Sequence, residues 1–211
     1  YTISILKNFS AIASGVVLKP GNIQKTMSHE KFILVEATLP DTFPIEFGIY
    51  DLPQFLGNIT TLENPDLMFS DSTVEMDDGS IHLSYFGCSP NLITTPPDKE
   101  LVLSNIDAEF DLSNASLQKL LRLGNMNNLP FLSIVGKQGK LHIKTHDNSD
   151  TSNVATITIG DYEGSDFVAK FKTEHLKLIP DDYHVKVALG SFATFENKTN
   201  TLKYYIALQS K

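Results

Sequence analysis

Two stretches far apart in the chain share one design. Residues 45–56 (IEFGIYDLPQFL) and 167–178 (FVAKFKTEHLKL) each run from a β-branched and aromatic strand pattern straight into an amphipathic helix pattern. The change of apolar period from 2 to 3.6 marks the joint, because strands bury alternate side chains and helices bury those at i, i+3 and i+4. Around each copy the same order recurs: a helix, two or three strands, a short helix, then three strands. Two copies of such a unit read as a degenerate duplication of one α+β domain. The 211 residues are enough for two units of about a hundred each. The expected domains are residues 1–104 and 105–211, joined through the polar, extended stretch 96–111 that opens with Pro96-Pro97-Asp98-Lys99.

Most of the chain reads as short strands. They are expected over 15–18, 32–38, 45–50, 67–70, 73–76 and 81–86, then over 131–135, 141–145, 155–159, 168–171, 184–189, 193–196 and 202–208. Asp77-Asp78-Gly79 is a hairpin signal, since glycine takes the positive φ that such turns require. Helices are expected over 3–13, 51–62, 115–126 and 173–179. Asp51 suits the N-cap of the second, with Pro53 in its first turn, and Ser113 or Asn114 caps the third. Pro180 stops the fourth.

Chemistry is sparse. His142 and His146 lie four apart on a strand pattern, which puts them on one face but too far apart for the helical i, i+4 arrangement of a zinc site. Cys88 is the sole cysteine and has no basic neighbour, so a structural thiol in a reducing compartment is expected. Asp77-Asp78 and Asp181-Asp182 flank turn residues and read as turn formers. No phosphate-binding, dinucleotide-binding or nucleophile-elbow motif occurs. The expectation is a non-enzyme with no cofactor and no catalytic or metal residue. The apolar runs are too short to span a bilayer, and no secretory signal opens the sequence.

The net charge of −8 argues against tight, phosphate-rich gripping of nucleic acid. Its distribution qualifies that objection: residues 1–107 carry 5 Lys against 14 Asp and Glu, whereas residues 108–211 carry 11 Lys and 1 Arg against 11 Asp and Glu. Lys119 and Arg122 share the polar side of the third helix, Lys7 lies on that of the first, and Lys172 and Lys177 flank the fourth. For one helix a solvated outer face explains such cations. Three basic helices within an acidic chain suit a ring whose helices line a hole, where diffuse phosphate contacts let DNA slide. Two alternatives stand beside it: an oligomeric viral structural protein without a DNA role, and a small-molecule α+β enzyme with a deep polar pocket.

Residues 5–21 (ILKNFSAIASGVVLKPG), 49–57 (IYDLPQFLG), 117–122 (LQKLLR), 159–164 (IGDYEG) and 204–208 (YYIAL), in that order and over nearly the whole chain, resemble the sliding clamps of T-even-type bacteriophages. Residues 202–207 (LKYYIA) are also similar to the last strand of eukaryotic and archaeal trimeric clamps. The resemblance implies an α+β DNA clamp fold of two similar domains, each with two helices packed on antiparallel sheets, closing into a homotrimeric ring around duplex DNA. It implies tethering of the replicative DNA polymerase, loading by a clamp-loader ATPase, late-transcription coactivation, and a place in the cytoplasm of the infected host. Carried over by position, Lys7, Lys119, Arg122, Lys172 and Lys177 would face DNA. Leu101, Leu103, Tyr205 and Ala207 would form a pocket for the C-terminal hydrophobic peptide of partners. The helix over 51–62 contains no Lys or Arg.

Overall fold

The computed structural model of the protein describes residues 1–99, 101–149 and 153–209, which cluster into two units, Tyr1–Lys99 and Glu100–Lys211. The first unit opens with α1 (Thr2–Ile12), which buries Ile5, Leu6 and Phe9 along one side. Strands β1 (Val16–Leu18), β2 (Gly21–Met27), β3 (Ile33–Phe43) and β4 (Phe47–Ile49) follow, then α2 (Leu52–Thr61) and β5 (Asp66–Phe69), β6 (Thr73–Asp77) and β7 (His82–Phe86). All pairings are antiparallel: β1 with β4, β2 with β3, and β5-β6-β7 as a three-stranded sheet. Asp51 caps α2 by accepting the Gln54 N–H at 2.9 Å. Leu52, Phe55, Leu56 and Ile59 of α2 are buried at helical spacing, and each contributes roughly 1.5–3 kcal/mol of transfer free energy. The Phe55 ring meets Tyr85 of β7 edge-on at 5.0 Å, and α1 packs on α2 and β3.

Strand β2 was not expected, for a physical reason. Its buried residues include Gln24 and Thr26 rather than alternating apolar side chains. Gln24 is admitted because its amide is satisfied locally: it accepts from the Lys19 N–H at 2.8 Å and donates to the carbonyls of Lys19 and Gly21.

The second unit contains β8 (Ala108–Leu112), α3 (Asn114–Met126), β9 (Phe131–Lys137), β10 (Lys140–His146), β11 (Ala155–Asp161), β12 (Phe167–Lys172), β13 (Tyr183–Val187), β14 (Phe192–Asn197) and β15 (Leu202–Ala207). One sheet has the order β11-β10-β9-β12, and β8, β13, β14 and β15 pair antiparallel in that order. Strand β8 overlaps the end of the stretch expected to be connector, and Phe110 pairs with Val185 there. Helix α3 packs on β10 and β11.

The fold is the expected α+β arrangement of antiparallel sheets with helices, but the described residues form three α-helices rather than four. The fourth expected helix is a single 3-10 turn, Thr173–His175. Beyond it Leu176 and Leu178 are buried while Lys177 between them is exposed, a period of 2 that belongs to extended chain. Two buried tyrosines hold that extended chain: the Ile179 N–H donates to the Tyr204 hydroxyl at 3.1 Å, and the Tyr183 hydroxyl donates to the Ile179 carbonyl at 2.5 Å.

Candidate nucleic-acid interface and partner groove

The position of α3 is set from both of its ends. Ser113 accepts from the Ser116 N–H as N-cap, and the Asp182 carboxylate accepts the Asn114 N–H at 2.8 Å. That backbone donor, with Lys198 behind it, holds the Asp182 carboxyl below its usual range. Along the helix Leu117 and Leu120 are buried. Gly124 lies so near β10 that an added Cβ would stand 3.2 Å from Thr145 Cγ2. With that side seated, Lys119 and Arg122 project from the exposed side. Neither makes an ion pair among the described residues.

Lys7 on α1 is likewise exposed and without an ion pair among the described residues. The exposed side of α2 offers Pro53, Gln54, Gly57, Thr60 and Thr61, with no cation. Lysines of the strands and of the turns beside them contrast with these. Lys19, Lys25, Lys186, Lys198 and Lys203 pair with Glu46, Glu36, Glu109, Asp182 and Glu196 at 2.5–3.3 Å, and Lys140 pairs with Asp161. Helix charge is therefore available to an anion where most strand charge is spent internally. Sequence patterning located the helix cations, but the cross-strand neutralisation depends on register.

Lys172 and Lys177 stand apart from this set. Lys172 is the last residue of β12, opposite Phe131, which in turn faces His146. That row alternates with the Thr145–Leu132–Phe171 row against which α3 is seated, so Lys172 lies on the other face of the sheet. Lys177 is exposed in the extended chain after the 3-10 turn.

The remaining candidates have structural roles. His142 and His146 share a face of β10, the first bonding Thr158 Oγ1 at 3.1 Å and the second Ser133 Oγ at 2.8 Å. Cys88 is half-buried, its backbone N–H donates to the Gly48 carbonyl at 2.9 Å, and burial pushes its thiol pKa up. Asp78 accepts from the main-chain N–H groups of Ile81, Ser80 and Glu63, which hold its carboxyl far below the usual range. Among the described residues no group of three or more His, Cys, Asp or Glu is placed to hold a metal ion, and no helix is long and apolar enough to cross a membrane.

The second unit also carries a groove of about 670 Å³. Val135, Phe167, Val168, Leu189 and Leu208 form its apolar walls, with Lys170 among its polar ones. Of the four residues expected to form a peptide pocket, Ala207 adjoins this groove in sequence through Leu208. Tyr205 is buried and packs against Phe192 at 5.9 Å, and Leu101 and Leu103 are not among the walls. Val168 and Leu189, both substantially exposed, were not singled out because only β9, β12 and the β13–β14 turn together make the groove.

A family model described as DNA polymerase processivity factor matches residues 1–69. The sliding clamp of Vibrio phage KVP40 is 28% identical over 99% of this chain and 97% of its own length. That of Enterobacteria phage T4 is 28% identical over 99% and 95%. The chain is homologous over nearly its full length to phage sliding clamps. It is also similar in structure to A. fulgidus PCNA, with a TM-score of 0.74 at 14% identity over 99% of this chain and 95% of that one. The β subunit of DNA polymerase from Streptococcus pyogenes gives a TM-score of 0.66 at 14% identity, over 99% of this chain and 64% of that one. These likenesses establish the DNA clamp fold. Sliding clamps are non-enzymatic processivity factors for DNA polymerase.

Proposed function

We propose that the protein forms a homotrimeric ring that encircles duplex DNA, with Lys7, Lys119 and Arg122 turned towards the phosphates. The ring tethers the replicative DNA polymerase after placement by a clamp-loader ATPase, in the cytoplasm of the infected host. The observation that carries this reading is the set of exposed helix cations without carboxylate partners among the described residues, in a chain that matches phage sliding clamps over 99% of its length. Weak phosphate contacts from few, spaced cations allow sliding, and the acidic remainder discourages DNA from binding elsewhere. Late-transcription coactivation comes to the chain through the family resemblance alone.

Ring closure needs one free edge per unit, because a head-to-tail interface pairs two different surfaces. Strand β7 is an edge of β5-β6-β7 and β11 an edge of β11-β10-β9-β12. Strand β6, also a candidate from its sequence, is central in its sheet and has no free side. The Lys170 carbonyl accepts from the Gln209 N–H on the outer side of β12. Ladder alternation through β9 and β10 then turns the N–H groups of Thr156 and Thr158 to the open side of β11. The groove beside Leu208 suits the apolar end of a partner peptide.

The test is processive synthesis on primed circular DNA by the cognate polymerase and loader. Lys119→Glu with Arg122→Glu should cut product length to that of polymerase alone, while circular dichroism and oligomeric mass stay unchanged. Undiminished processivity in that variant would contradict the placement of α3 on DNA.

A further inference from the structure

The face of the β11-β10-β9-β12 sheet turned away from α3 is basic in an otherwise acidic chain. Register brings Lys144 of β10, Ser133 of β9 and Lys170 of β12 into one row, and His146, Phe131 and Lys172 into the next. Lys170 Nζ sits 3.7 Å from the centroid of the Phe131 ring and 2.6 Å from Asn148 Oδ1. Unlike most strand lysines, Lys144 and Lys170 have no carboxylate partner among the described residues; Lys172 has Glu174 at 3.2 Å. Lys144 and Lys170 are both near enough to His146 to disfavour its protonation, which burial opposes more strongly still. The His146 Nε2 faces the Ser133 hydroxyl and its Nδ1 faces the Asp147 carbonyl, an arrangement that a neutral imidazole satisfies.

We propose that this face docks an acidic segment of a partner protein, continuous with the apolar peptide end that enters the adjoining groove. The proposal deepens the clamp reading and rests on it for the peptide in the groove. Lys170 and Val168 belong to both surfaces: each stands on the outward row of β12 and lines the groove. A partner chain leaving the groove across β12 and β9 therefore passes directly over Lys170 and Lys144. The dimensions select a peptide over nucleic acid. From β10 to β12 is two strand spacings, roughly 10 Å, and from Lys144 to Lys140 roughly 13 Å. Asp161 and Glu174 stand at the margins of the face, where they would repel a longer polyphosphate track.

The experiment uses the full chain and two fluorescent peptides with the same apolar C-terminal end, one preceded by a run of glutamates and the other by a run of glutamines. Anisotropy titration should give about tenfold tighter binding of the glutamate peptide, since several surface ion pairs each contribute a small factor. The advantage should shrink as salt is added. It should vanish in Lys144→Glu with Lys172→Glu and largely vanish in Lys144→Gln with Lys172→Gln, with circular dichroism unchanged in both. Equal affinities, no binding of either peptide, or an advantage that survives both variants would overturn the proposal. So would a short duplex that displaces the glutamate peptide from the wild type but not from the variants, because nucleic acid would then own the face. The clamp reading fails separately, through undiminished processivity of the α3 variant.

Discussion

Thr145 offers a sharp test of how α3 is seated. Its side chain is fully buried under the helix, in van der Waals range of Gly124, and its Oγ1 has no hydrogen-bond partner among the described residues. An unpaired buried hydroxyl costs about 1–3 kcal/mol. Thr145→Val keeps the β-branched shape, removes that penalty and adds the transfer free energy of about one methyl group, close to 0.8 kcal/mol. Part of this gain is lost to the slightly larger methyl in a packed site. A net stabilisation of about 1–2 kcal/mol follows, or roughly 2–8 °C in Tm for a chain of this size. Thermal and urea denaturation followed by circular dichroism would measure it, with the urea m-value checking that unfolding still exposes the same surface. A lower Tm would refute the reasoning, because it would mean that the hydroxyl has a partner that valine cannot replace.

The same argument predicts stabilisation by Thr26→Val, whose Oγ1 is also buried without a partner among the described residues; a fall in urea midpoint would contradict it. Asp51→Ala removes the α2 cap and should cost about 1 kcal/mol in urea unfolding, an effect too small to unfold the unit. Thr156→Pro removes a donor from the open side of β11 and should leave a folded monomer by light scattering; a persistent trimer would move the interface elsewhere. His184 lies between Asp111 at 2.9 Å and Glu109 at 2.7 Å, which raise its pKa, Asp111 foremost. The stability supplied by that proton is present below the unfolded value of about 6.5 and is lost as pH rises through the elevated folded value. His184→Gln should therefore lose stability relative to the wild type near pH 5.5 and match it in alkali.

Helices α1, α2 and α3 were legible because each sets its apolar residues at helical spacing under a recognisable boundary, as Asp51 and Ser113 do. Strand β2 was not, since Gln24 occupies the core through bonds to its own turn. The stretch from Thr173 misled because Leu176 and Ile179 stand at the i, i+3 spacing of a helix, and only the tyrosine hydroxyls on Ile179 reveal that the chain there is extended. On the surface, Lys119 and Arg122 were visible because a helix face is local in sequence. The basic sheet face was hidden because Lys144, Lys170 and Lys172 become neighbours only through the pairing of β9 with two other strands. The edges followed the same rule: strand patterns identify strands, and only sheet order separates β7 and β11 from the central β6.

The central claim is encirclement, and DNA topology tests it most directly. The protein is loaded onto nicked circular duplex by its loader and passed over a sizing column, before and after the circle is cut once by a restriction enzyme. A ring held by topology rather than affinity co-elutes with the circle in high salt and is lost once the DNA is linear. Retention on linear DNA, or loss from the circle in high salt, would contradict it.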